Sequence, residues 1–264
     1  MLTLNLLLCA VIGNVVSNVV VDTDPCRLGD SYWCQNEANA VECGVLEYCK
    51  ANNFITQTKE AVKPIQIDLY YESLCPGCRE FITTQLYPAY QKLYSYGMFE
   101  IGLFPYGNAG ESKRGDEWKF ECQHGTLECQ LNLVETCALH LLSHPNQFMP
   151  FIHCLETKPS VAKAKSCAAS LKIEWGPISK CYEGSEGNFL EHQIAVKTDA
   201  LKPPHQYVPW IVVDGKHTEK IQNAVQDDLV LFICGNYKGP TPDACNKALE
   251  SKQGKRCYKD ANNA

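Results

Sequence analysis

The sequence predicts an α/β domain built on a strand–helix–strand unit, and three observations support this prediction. An alternating β-prone run, Ile65–Tyr71, is followed by a long stretch with apolar residues near helical spacing, namely Phe81, Ile82, Leu86, Tyr90 and Leu93. A second apolar run, Phe99–Tyr106, predicts the next strand. The motif Cys75-Pro76-Gly77-Cys78 lies where the first strand meets the helix. This order of elements is typical of a thioredoxin-like fold.

The two cysteines of the motif have the spacing of a dithiol–disulfide redox centre. They lie one helical turn apart at a helix N-terminus, where free N–H groups and the positive end of the helix dipole stabilise a thiolate. We therefore predict that Cys75 is the nucleophile and that Cys78 is the thiol that resolves the mixed disulfide. A structural disulfide or half of a zinc site is the alternative for a CxxC motif taken alone.

The second half of the chain predicts a helical insertion, one more strand and a last helix. Residues 107–187 carry short helical patterns separated by cysteines and prolines, at Leu131–Leu142, Gln147–Leu155, Val161–Leu171 and Ile178–Tyr182. We interpret them as an insertion held by disulfides. A longer helix is predicted over 188–201, a strand over 210–213, and a final helix over 224–234. The remainder from Gly235 reads as an irregular tail.

Pro209 directly precedes the predicted last strand. In a thioredoxin-like fold the loop at this place packs against the CxxC motif and often carries a cis-proline. By this analogy we predict a cis bond before Pro209, and a role for Pro209 in shaping the substrate groove beside Cys75. The alternative is an ordinary proline at the start of a strand.

Two smaller segments are predicted before the domain. Residues 1–17 have the apolar core and small-residue end of a signal peptide. Residues 21–55 hold four cysteines and are too short for a core, so we expect a small unit with two short helices held by its own disulfides. The predicted organisation is then the main domain over 64–235 and a tail over 236–264, with the N-terminal unit and the tail as propeptides.

Composition narrows the class of protein. The chain has sixteen cysteines in 264 residues, and fifteen remain after removal of the predicted signal peptide, which contains Cys9. So many cysteines indicate the secretory pathway, where disulfides persist. The net charge of −6 is spread without a basic patch, so nucleic acid is not a predicted partner. No later stretch is apolar enough to insert stably in a membrane. The C-terminus is not a KDEL-type signal, which argues against retention in the endoplasmic reticulum, and there is no Asn-x-Ser/Thr sequon.

Residues 122–137 predict a loop that enters a helix, with cysteines at both ends. A metal site could use Cys122, His124, Cys129 and Cys137, but structural zinc sites favour tighter pairs and an oxidising compartment favours disulfides. We therefore predict no metal and no resident cofactor. His124 is weighed as a general base for the thiol against an ordinary surface residue.

The same segment carries a resemblance to a known family. The pattern CQHGxxECxxNxxxxC is matched at every fixed position by Cys122, Gln123, His124, Gly125, Glu128, Cys129, Asn132 and Cys137. It is similar to the signature of the gamma-interferon-inducible lysosomal thiol reductase family. Residues 70–78, 104–109 and 208–211 resemble that family's active-site segment, second strand and proline segment, and residues 26–49 resemble a saposin A-type domain.

The resemblance implies a soluble reductase that cleaves protein disulfides in acidic endosomes or lysosomes, or outside the cell. It implies Cys75 and Cys78 as the redox pair, a small thiol such as cysteine as reductant, and trimming of the precursor at both ends. Family members that are routed by mannose-6-phosphate need N-glycans, so the missing sequon favours secretion. At pH ~5 an ordinary thiol of pKa ~8.5 is protonated, so we predict a strongly lowered pKa for Cys75.

A count of the cysteines completes the predictions. Beyond the N-terminal unit and the CxxC pair, six cysteines of the insertion can form three disulfides: Cys122, Cys129, Cys137, Cys154, Cys167 and Cys181. Cys234 and Cys245 are expected to pair. Cys257 is left over, which predicts a precursor that is a disulfide-linked homodimer. Two other readings stay open: an oxidase or isomerase of the secretory pathway, and a secreted lipid- or partner-binding protein with a structural CxxC disulfide.

Overall fold

The computed structural model describes residues 26, 34, 37–52 and 62–253, and the chain divides into two compact units, residues 1–61 and 62–264. The predicted signal peptide and Cys257 lie outside the described residues. Within these described ranges, every helix is too short or too polar to cross a membrane.

The N-terminal unit contains two short helices, α1 (Glu37–Glu42) and α2 (Leu46–Ala51). Disulfides join Cys26 to Cys43 and Cys34 to Cys49. Only a small buried cluster forms around Cys34, Ala40 and Cys49 in the described part of this unit. Because so small a core stabilises little, the disulfides hold the unit together. The prediction that these four cysteines pair among themselves is confirmed.

The described part of the main unit contains five strands: β1 (Ile65–Tyr71), β2 (Phe99–Pro105), β3 (Gly110–Arg114), β4 (Glu117–Glu121) and β5 (Trp210–Val213). The main sheet has the order β2-β1-β5, with β2 parallel and β5 antiparallel to the central strand. One face of β1 buries Ile67, Leu69 and Tyr71 in the main core, while Tyr70 packs with Trp210 on the other face. Only the second half of β1, Leu69–Tyr71, is buried on both faces, which explains the consecutive apolar residues there.

The crossover between the two parallel strands is a helix, as parallel pairing requires. It runs through α3 (Pro76–Phe81), a π-helical turn (Ile82–Leu86) and α4 (Tyr87–Leu93). The hydroxyl of Thr83 donates to the Arg79 carbonyl oxygen and that of Thr84 to the Glu80 carbonyl oxygen, beside the π turn. The predicted helix is confirmed in its extent, but the sequence did not indicate the π turn.

The prediction of an insertion made only of helices is wrong over residues 110–121. Strands β3 and β4 form an antiparallel hairpin there, joined by the two residues Gly115 and Asp116. Gly115 has a φ of +65°, which suits a tight hairpin turn. The strand residues are mostly exposed and charged, so the apolar alternation that marks a strand is limited to Trp118 and Phe120.

The rest of the insertion and the residues after it are helical, as predicted: α5 (Thr126–Leu141), α6 (Pro145–Glu156), α7 (Val161–Ser170), α8 (Trp175–Tyr182) and α9 (Ser185–Asp199). Disulfides join Cys122 to Cys129, Cys137 to Cys181 and Cys154 to Cys167. The second of these joins α5 to α8 and the third joins α6 to α7. The expectation of three insertion disulfides is confirmed, and the structure selects one of the connectivities that the sequence left open.

The C-terminal part differs from its prediction in two ways. Instead of one helix over 224–234 there are two, α10 (Glu219–Asp227) and α11 (Leu229–Asn236), because Asp228 leaves the helical conformation and its side chain accepts a hydrogen bond from the Leu231 N–H. The expected irregular tail contains a further helix, α12 (Asp243–Gln253). It is tied back by the Cys234–Cys245 disulfide, a pair that was predicted.

Candidate active site

Cys75 and Cys78 lie at the start of the crossover helix. Cys75 is the N-cap of α3, with extended backbone angles, and Pro76 occupies the first helical position, where its missing N–H costs no hydrogen bond. Cys75 is 8% exposed and Cys78 is completely buried. Of all the cysteines that the structure describes, these two alone are outside disulfides. The structure therefore presents the dithiol form of the motif, in which Cys75 is the more exposed of the two cysteines.

The surroundings stabilise the thiolate of Cys75. Its pKa is lowered from 9.0 to about 6, chiefly because the Cys78 thiol donates a hydrogen bond to it. The N–H groups of Cys78 and Gly77 and the charge of His124 act in the same direction, against the effect of burial. The pKa of Cys78 is raised, first by burial and then by the neighbouring Cys75 sulfur. The two thiols are therefore strongly unequal.

The proline segment faces the dithiol. The Val208–Pro209 peptide bond is cis, the isomer inferred from fold analogy. The Val208 carbonyl oxygen lies 3.8 Å from Cys75 Sγ, and a methyl group at Gly77 would lie 3.4 Å from Pro209 Cδ. The segment thus lies directly against the CxxC loop.

Gln222 on α10 fixes the proline segment, and sequence reasoning missed it. Its side chain is buried, with Nε2 donating to the Pro209 carbonyl oxygen at 2.8 Å and Oε1 accepting from the Ile211 N–H at 3.0 Å. One amide thus satisfies two backbone groups at the start of β5. Only the fold brings residues 209 and 222 together, so no local sequence signal identified this contact.

Three of the signature residues contact Ser73, two positions before Cys75, and Asn108, in the loop after β2. Asn132 Oδ1 accepts a hydrogen bond from the Ser73 N–H at 3.0 Å, and the Ser73 hydroxyl donates to the Glu128 carbonyl oxygen at 3.3 Å. The Gln123 side chain accepts from the Asn108 amide at 3.0 Å. The first two turns of α5 and the loop before them therefore form a wall of the site.

The Cys122–Cys129 disulfide and Gly125 shape the loop before α5. The disulfide closes a short loop, and Gly125, with a φ of +88°, is the N-cap of the helix. A positive φ at this position suits glycine. These two features present His124 toward the site. Cys137 is bonded to Cys181 and holds the far end of α5.

His124 is clamped by Glu128 and lies close to a second carboxylate. The backbone N–H of His124 donates to Glu128 Oε1 at 2.9 Å, and its Nδ1 is 2.5 Å from Glu128 Oε2. Glu72 Oε2 lies 3.4 Å from the same nitrogen. His124 is thus neither an isolated surface residue nor remote from the thiol, since its charge acts on Cys75.

The alternative zinc site is excluded, because Cys122, Cys129 and Cys137 are all in disulfides. Glu72, His124 and Glu128 also bring potential ligand atoms within 4.8 Å of one another. Two ligands of one tetrahedral zinc ion would lie about 3.3 Å apart, whereas the His124 and Glu128 atoms are at hydrogen-bond distance, 2.5 Å. This group is therefore a hydrogen-bonded cluster.

Glu72 was not among the predicted site residues. It is completely buried, and its Oε1 accepts a hydrogen bond from the Asn108 N–H at 2.7 Å. Its pKa is raised from 4.5 to about 7, chiefly by burial, with Glu128 and Cys75 adding to the effect and the Asn108 hydrogen bond opposing it. A carboxyl group that titrates near neutrality therefore lies beside the dithiol.

Glu135 and Glu156 form a buried pair of carboxyl groups, which the sequence analysis also did not predict. Glu135 on α5 and Glu156 on α6 are both buried, and the Tyr71 hydroxyl donates to Glu135 Oε2 at 2.5 Å. The two carboxyl groups interact, and the charge of Glu135 raises the pKa of Glu156 further. Burial raises the pKa of both groups. Arg79 Nε lies 4.0 Å from Glu156 Oε2 and partly compensates the pair.

Thiol–disulfide oxidoreductases of thioredoxin-like fold are the class of protein that this sheet, helix and dithiol define. Comparison with known proteins narrows the class. A family model described as gamma interferon inducible lysosomal thiol reductase (GILT) matches residues 66–171, and a saposin A-type domain model matches residues 23–54. Among solved structures, the chain is similar to a DsbA from Chlamydia trachomatis, with a TM-score of 0.43 and 14% identity over 65% of this chain and 93% of that one.

The curated relatives agree with the family model. The chain is 41% identical to a gamma-interferon-inducible lysosomal thiol reductase of Carassius auratus over 235 residues, which are 88% of this chain and 89% of the relative. It is 38% identical to the mouse protein of the same name over 199 residues, 74% of this chain and 77% of that one. The chain belongs to the gamma interferon inducible lysosomal thiol reductase family. The resemblances to this family and to a saposin A-type domain are confirmed.

Proposed function

We propose that the protein is a thiol reductase that cleaves disulfide bonds of protein substrates through Cys75 and Cys78, at acidic pH, in endosomes or lysosomes or outside the cell. The observation that carries this proposal is the environment of Cys75. The Cys78 thiol, two helix N–H groups and His124 all favour its thiolate. The thiolate is the form of cysteine that attacks a disulfide.

The reaction would take place in two exchange steps. In the first, the Cys75 thiolate attacks one sulfur of the substrate disulfide, the substrate S–S bond breaks, and the other substrate sulfur leaves and is protonated. In the second, Cys78 loses its proton and attacks Cys75 Sγ, which releases the first substrate sulfur. The substrate gains two electrons and two protons, and the enzyme is left with a Cys75–Cys78 disulfide.

The lowered pKa of Cys75 supports activity in acid. A thiol whose pKa is lowered is a thiolate above that pKa and loses its charge only as the pH falls through it. With a pKa of about 6, about one tenth of Cys75 is thiolate at pH ~5. A thiol with the ordinary value of 9.0 is thiolate in only about one molecule in ten thousand at that pH. The difference is about a thousandfold in the reactive form.

The substrate chain would lie over the Pro209 segment. The Val208 carbonyl oxygen next to Cys75 is available to an incoming backbone N–H, because its contact with the Cys75 thiol is long, 3.8 Å. Beside Gly77 a groove of about 300 Å³ continues along α3, lined by Gly77, Glu80, Phe81, Thr84, Gln85, Gln226 and Asp227. We infer that the residues flanking the substrate disulfide occupy this groove.

A small thiol such as cysteine would regenerate the enzyme. The first thiol attacks the Cys75–Cys78 disulfide and forms a mixed disulfide, and a second thiol releases it as the small-molecule disulfide. No resident cofactor is needed for this cycle. The disulfides of the main unit fit an oxidising compartment, in agreement with the predicted signal peptide.

One observation favours a second candidate, an oxidase. Stabilising the Cys75 thiolate also stabilises the reduced form of the enzyme, and a stable reduced form makes the disulfide form more oxidising. An oxidase would transfer the Cys75–Cys78 disulfide to a reduced protein. The direction of exchange therefore has to be measured.

The test is reduction of a denatured, disulfide-bonded protein at pH ~5 with cysteine as donor. The wild-type protein is expected to accelerate the reaction over cysteine alone, and Cys75→Ser is expected to abolish the acceleration. Exposed Glu100 on β2 offers a control, since Glu100→Gln is expected to keep full activity. An oxidase is indicated if the enzyme in its disulfide form introduces disulfides into a reduced substrate, while the reduced enzyme does not cleave the disulfides of an oxidised substrate. Absence of any exchange would refute both candidates.

A further inference from the structure

The second exchange step needs a proton acceptor inside the protein. Cys78 is completely buried, and its pKa is raised by burial and by the neighbouring Cys75 sulfur. Solvent therefore has no direct access to the Cys78 thiol, and burial disfavours the Cys78 thiolate. A group in the interior has to remove this proton when Cys78 attacks the mixed disulfide.

Glu72 is placed for this role. Its Oε1 is held by the Asn108 N–H, whereas its buried Oε2 accepts no hydrogen bond and lies 3.4 Å from His124 Nδ1. Gly107 makes room for it, because a methyl group there would collide with Glu72 Cγ, and Gly107 has a φ of +60°. The carboxyl group is thus built into its place with one oxygen free to accept a proton.

The groups around Glu72 are those of the redox centre. The titratable side chains that face it are Cys75 and Cys78 on α3, His124 in the loop before α5, and Glu128 on α5. The loop after β2 contributes only the uncharged Asn108 N–H. Glu72 Oε2 therefore faces His124, which is 37% exposed at the rim of the site, and the charge of Glu72 also acts on Cys78.

We propose that the Glu72 carboxylate accepts the Cys78 proton in the second exchange step, and that His124 returns a proton to the departing substrate sulfur. This inference rests on the proposed reductase function and assigns a proton path to it. Glu135 and Glu156 are also buried and also have oxygens without hydrogen-bond partners. Glu135, however, accepts from the Tyr71 hydroxyl and Glu156 lies 4.0 Å from Arg79. Glu72 instead adjoins the CxxC loop, where its backbone carbonyl oxygen accepts from the Cys75 N–H at 3.3 Å.

The step balances as follows for the mixed disulfide between Cys75 and a substrate sulfur. The Cys78 S–H bond breaks and its proton goes to Glu72 Oε2, directly or through one water molecule. The electron pair left on the Cys78 sulfur forms the bond to Cys75 Sγ, and the bond from Cys75 to the substrate sulfur breaks. Its electron pair leaves with the substrate sulfur, which takes a proton from His124. The dithiol is oxidised by two electrons and the substrate is reduced by two.

Formation of the mixed disulfide at Cys75 shifts the pKa of Glu72 in the direction that this role requires. The charge of the Cys75 thiolate is one of the causes that raise the pKa of Glu72. Once Cys75 is bonded to the substrate sulfur this charge is gone, while the opposite effect of His124 remains. The pKa of Glu72 is then lower than in the dithiol form, so a larger fraction of Glu72 is carboxylate when the proton has to be accepted.

Dithiodipyridine is a suitable probe, because it reacts in acid and releases one chromophore in each exchange step. The reduced wild-type protein is expected to release two chromophores in two phases. Glu72→Gln is expected to keep the first phase and to slow the second about a hundredfold, the usual range for loss of an acid–base group. Glu72→Asp should recover part of the second phase, and the exposed Glu100→Gln should change neither phase.

The outcomes separate this inference from the proposed function. A second phase in Glu72→Gln as fast as in the wild-type protein across pH ~4.5 to ~8 would refute the role of Glu72 and leave the reductase standing. A wild-type protein that releases no chromophore would refute the proposed function as well. The wild-type pH profile gives an independent check if Glu72→Gln does not fold. The second phase must rise with pH and level off below pH ~7, and a flat profile would refute the proposal.

Discussion

Replacing Cys78 by alanine is expected to raise the pKa of Cys75. The largest cause that lowers this pKa is the hydrogen bond that the Cys78 thiol donates to the Cys75 sulfur. Alanine removes the donor and leaves the helix N–H groups and His124 in place. Serine at the same position is the matched variant, because its hydroxyl can still donate to the thiolate.

The size of the effect follows from the kind of contact. A hydrogen bond to a charged group contributes about 1.5–3 kcal/mol, and one pKa unit corresponds to about 1.4 kcal/mol. The pKa of Cys75 should therefore rise from about 6 by about one to two units in Cys78→Ala. At pH ~5 the thiolate population then falls about 10- to 100-fold.

The pH dependence of alkylation by iodoacetamide measures this pKa, because only the thiolate reacts. Cys78→Ala leaves Cys75 as the one free thiol of the described residues, so the rate reports Cys75. Cys78→Ser is expected to stay closer to the value of the wild-type protein. An unchanged pKa in Cys78→Ala would show that the helix N-terminus and His124 alone stabilise the thiolate, and the reasoning would be refuted.

Three further predictions concern the scaffold and the precursor. Gly107→Ala should destabilise the protein by about 1–3 kcal/mol in urea unfolding, because the positive φ strains a side chain and the added methyl group collides with Glu72. Equal stability of the variant and the wild-type protein would contradict the packing described. Removing the Cys137–Cys181 disulfide, which has a sequence separation of 44, should lower the free energy of unfolding by about 4 kcal/mol. Removing Cys122–Cys129, with a separation of 7, should lower it by about 2.5 kcal/mol, because the shorter loop restricts the unfolded chain less. The reverse order in urea unfolding would contradict this loop-entropy argument. Cys257 is expected to link two precursors, so non-reducing electrophoresis should show a dimer that Cys257→Ser lacks; a wild-type precursor without a dimer band would refute this expectation.

The features that the sequence predicted depend on local patterns. The strand over 65–71, the CxxC motif at the helix start and the disulfide-rich helices are visible in residue spacing and apolar periodicity. The Cys234–Cys245 pair was predictable because the two cysteines are close in sequence and the others had partners. Two of the missed features also had local signals. The pair Gly115-Asp116 beside an alternating Trp118 and Phe120 indicates a hairpin.

The second of these signals is Asp228, a typical N-cap residue that marks the break between α10 and α11. An aspartate inside an apolar helical pattern is easily taken for an exposed position, since its capping role depends on the backbone angles around it. The irregular tail was predicted from its lysine, proline and asparagine content. Helix α12 forms there nonetheless, and the disulfide to α11 holds it.

The chemistry around the dithiol could not be predicted from local patterns. Glu72 meets Asn108 across 36 residues, Ser73 meets Asn132 across 59, and Tyr71 meets Glu135 across 64. These contacts exist only because β1, β2 and α5 come together in the fold. The sequence also gives no sign that a glutamate will be buried, since glutamates are usually exposed. The resemblance to the family marked the signature residues, but their contacts with residues 72–73 emerged from the structure.

Trapping of the mixed disulfide tests the central claim most directly, that Cys75 attacks the disulfide of a protein substrate. Cys78→Ser is incubated at pH ~5 with a denatured, disulfide-bonded protein, the mixture is quenched with acid, and the cross-linked peptides are identified by mass spectrometry. The account predicts a covalent complex in which the substrate cysteine is bonded to Cys75, and no such complex in Cys75→Ser. A complex through another cysteine, or none, would contradict it.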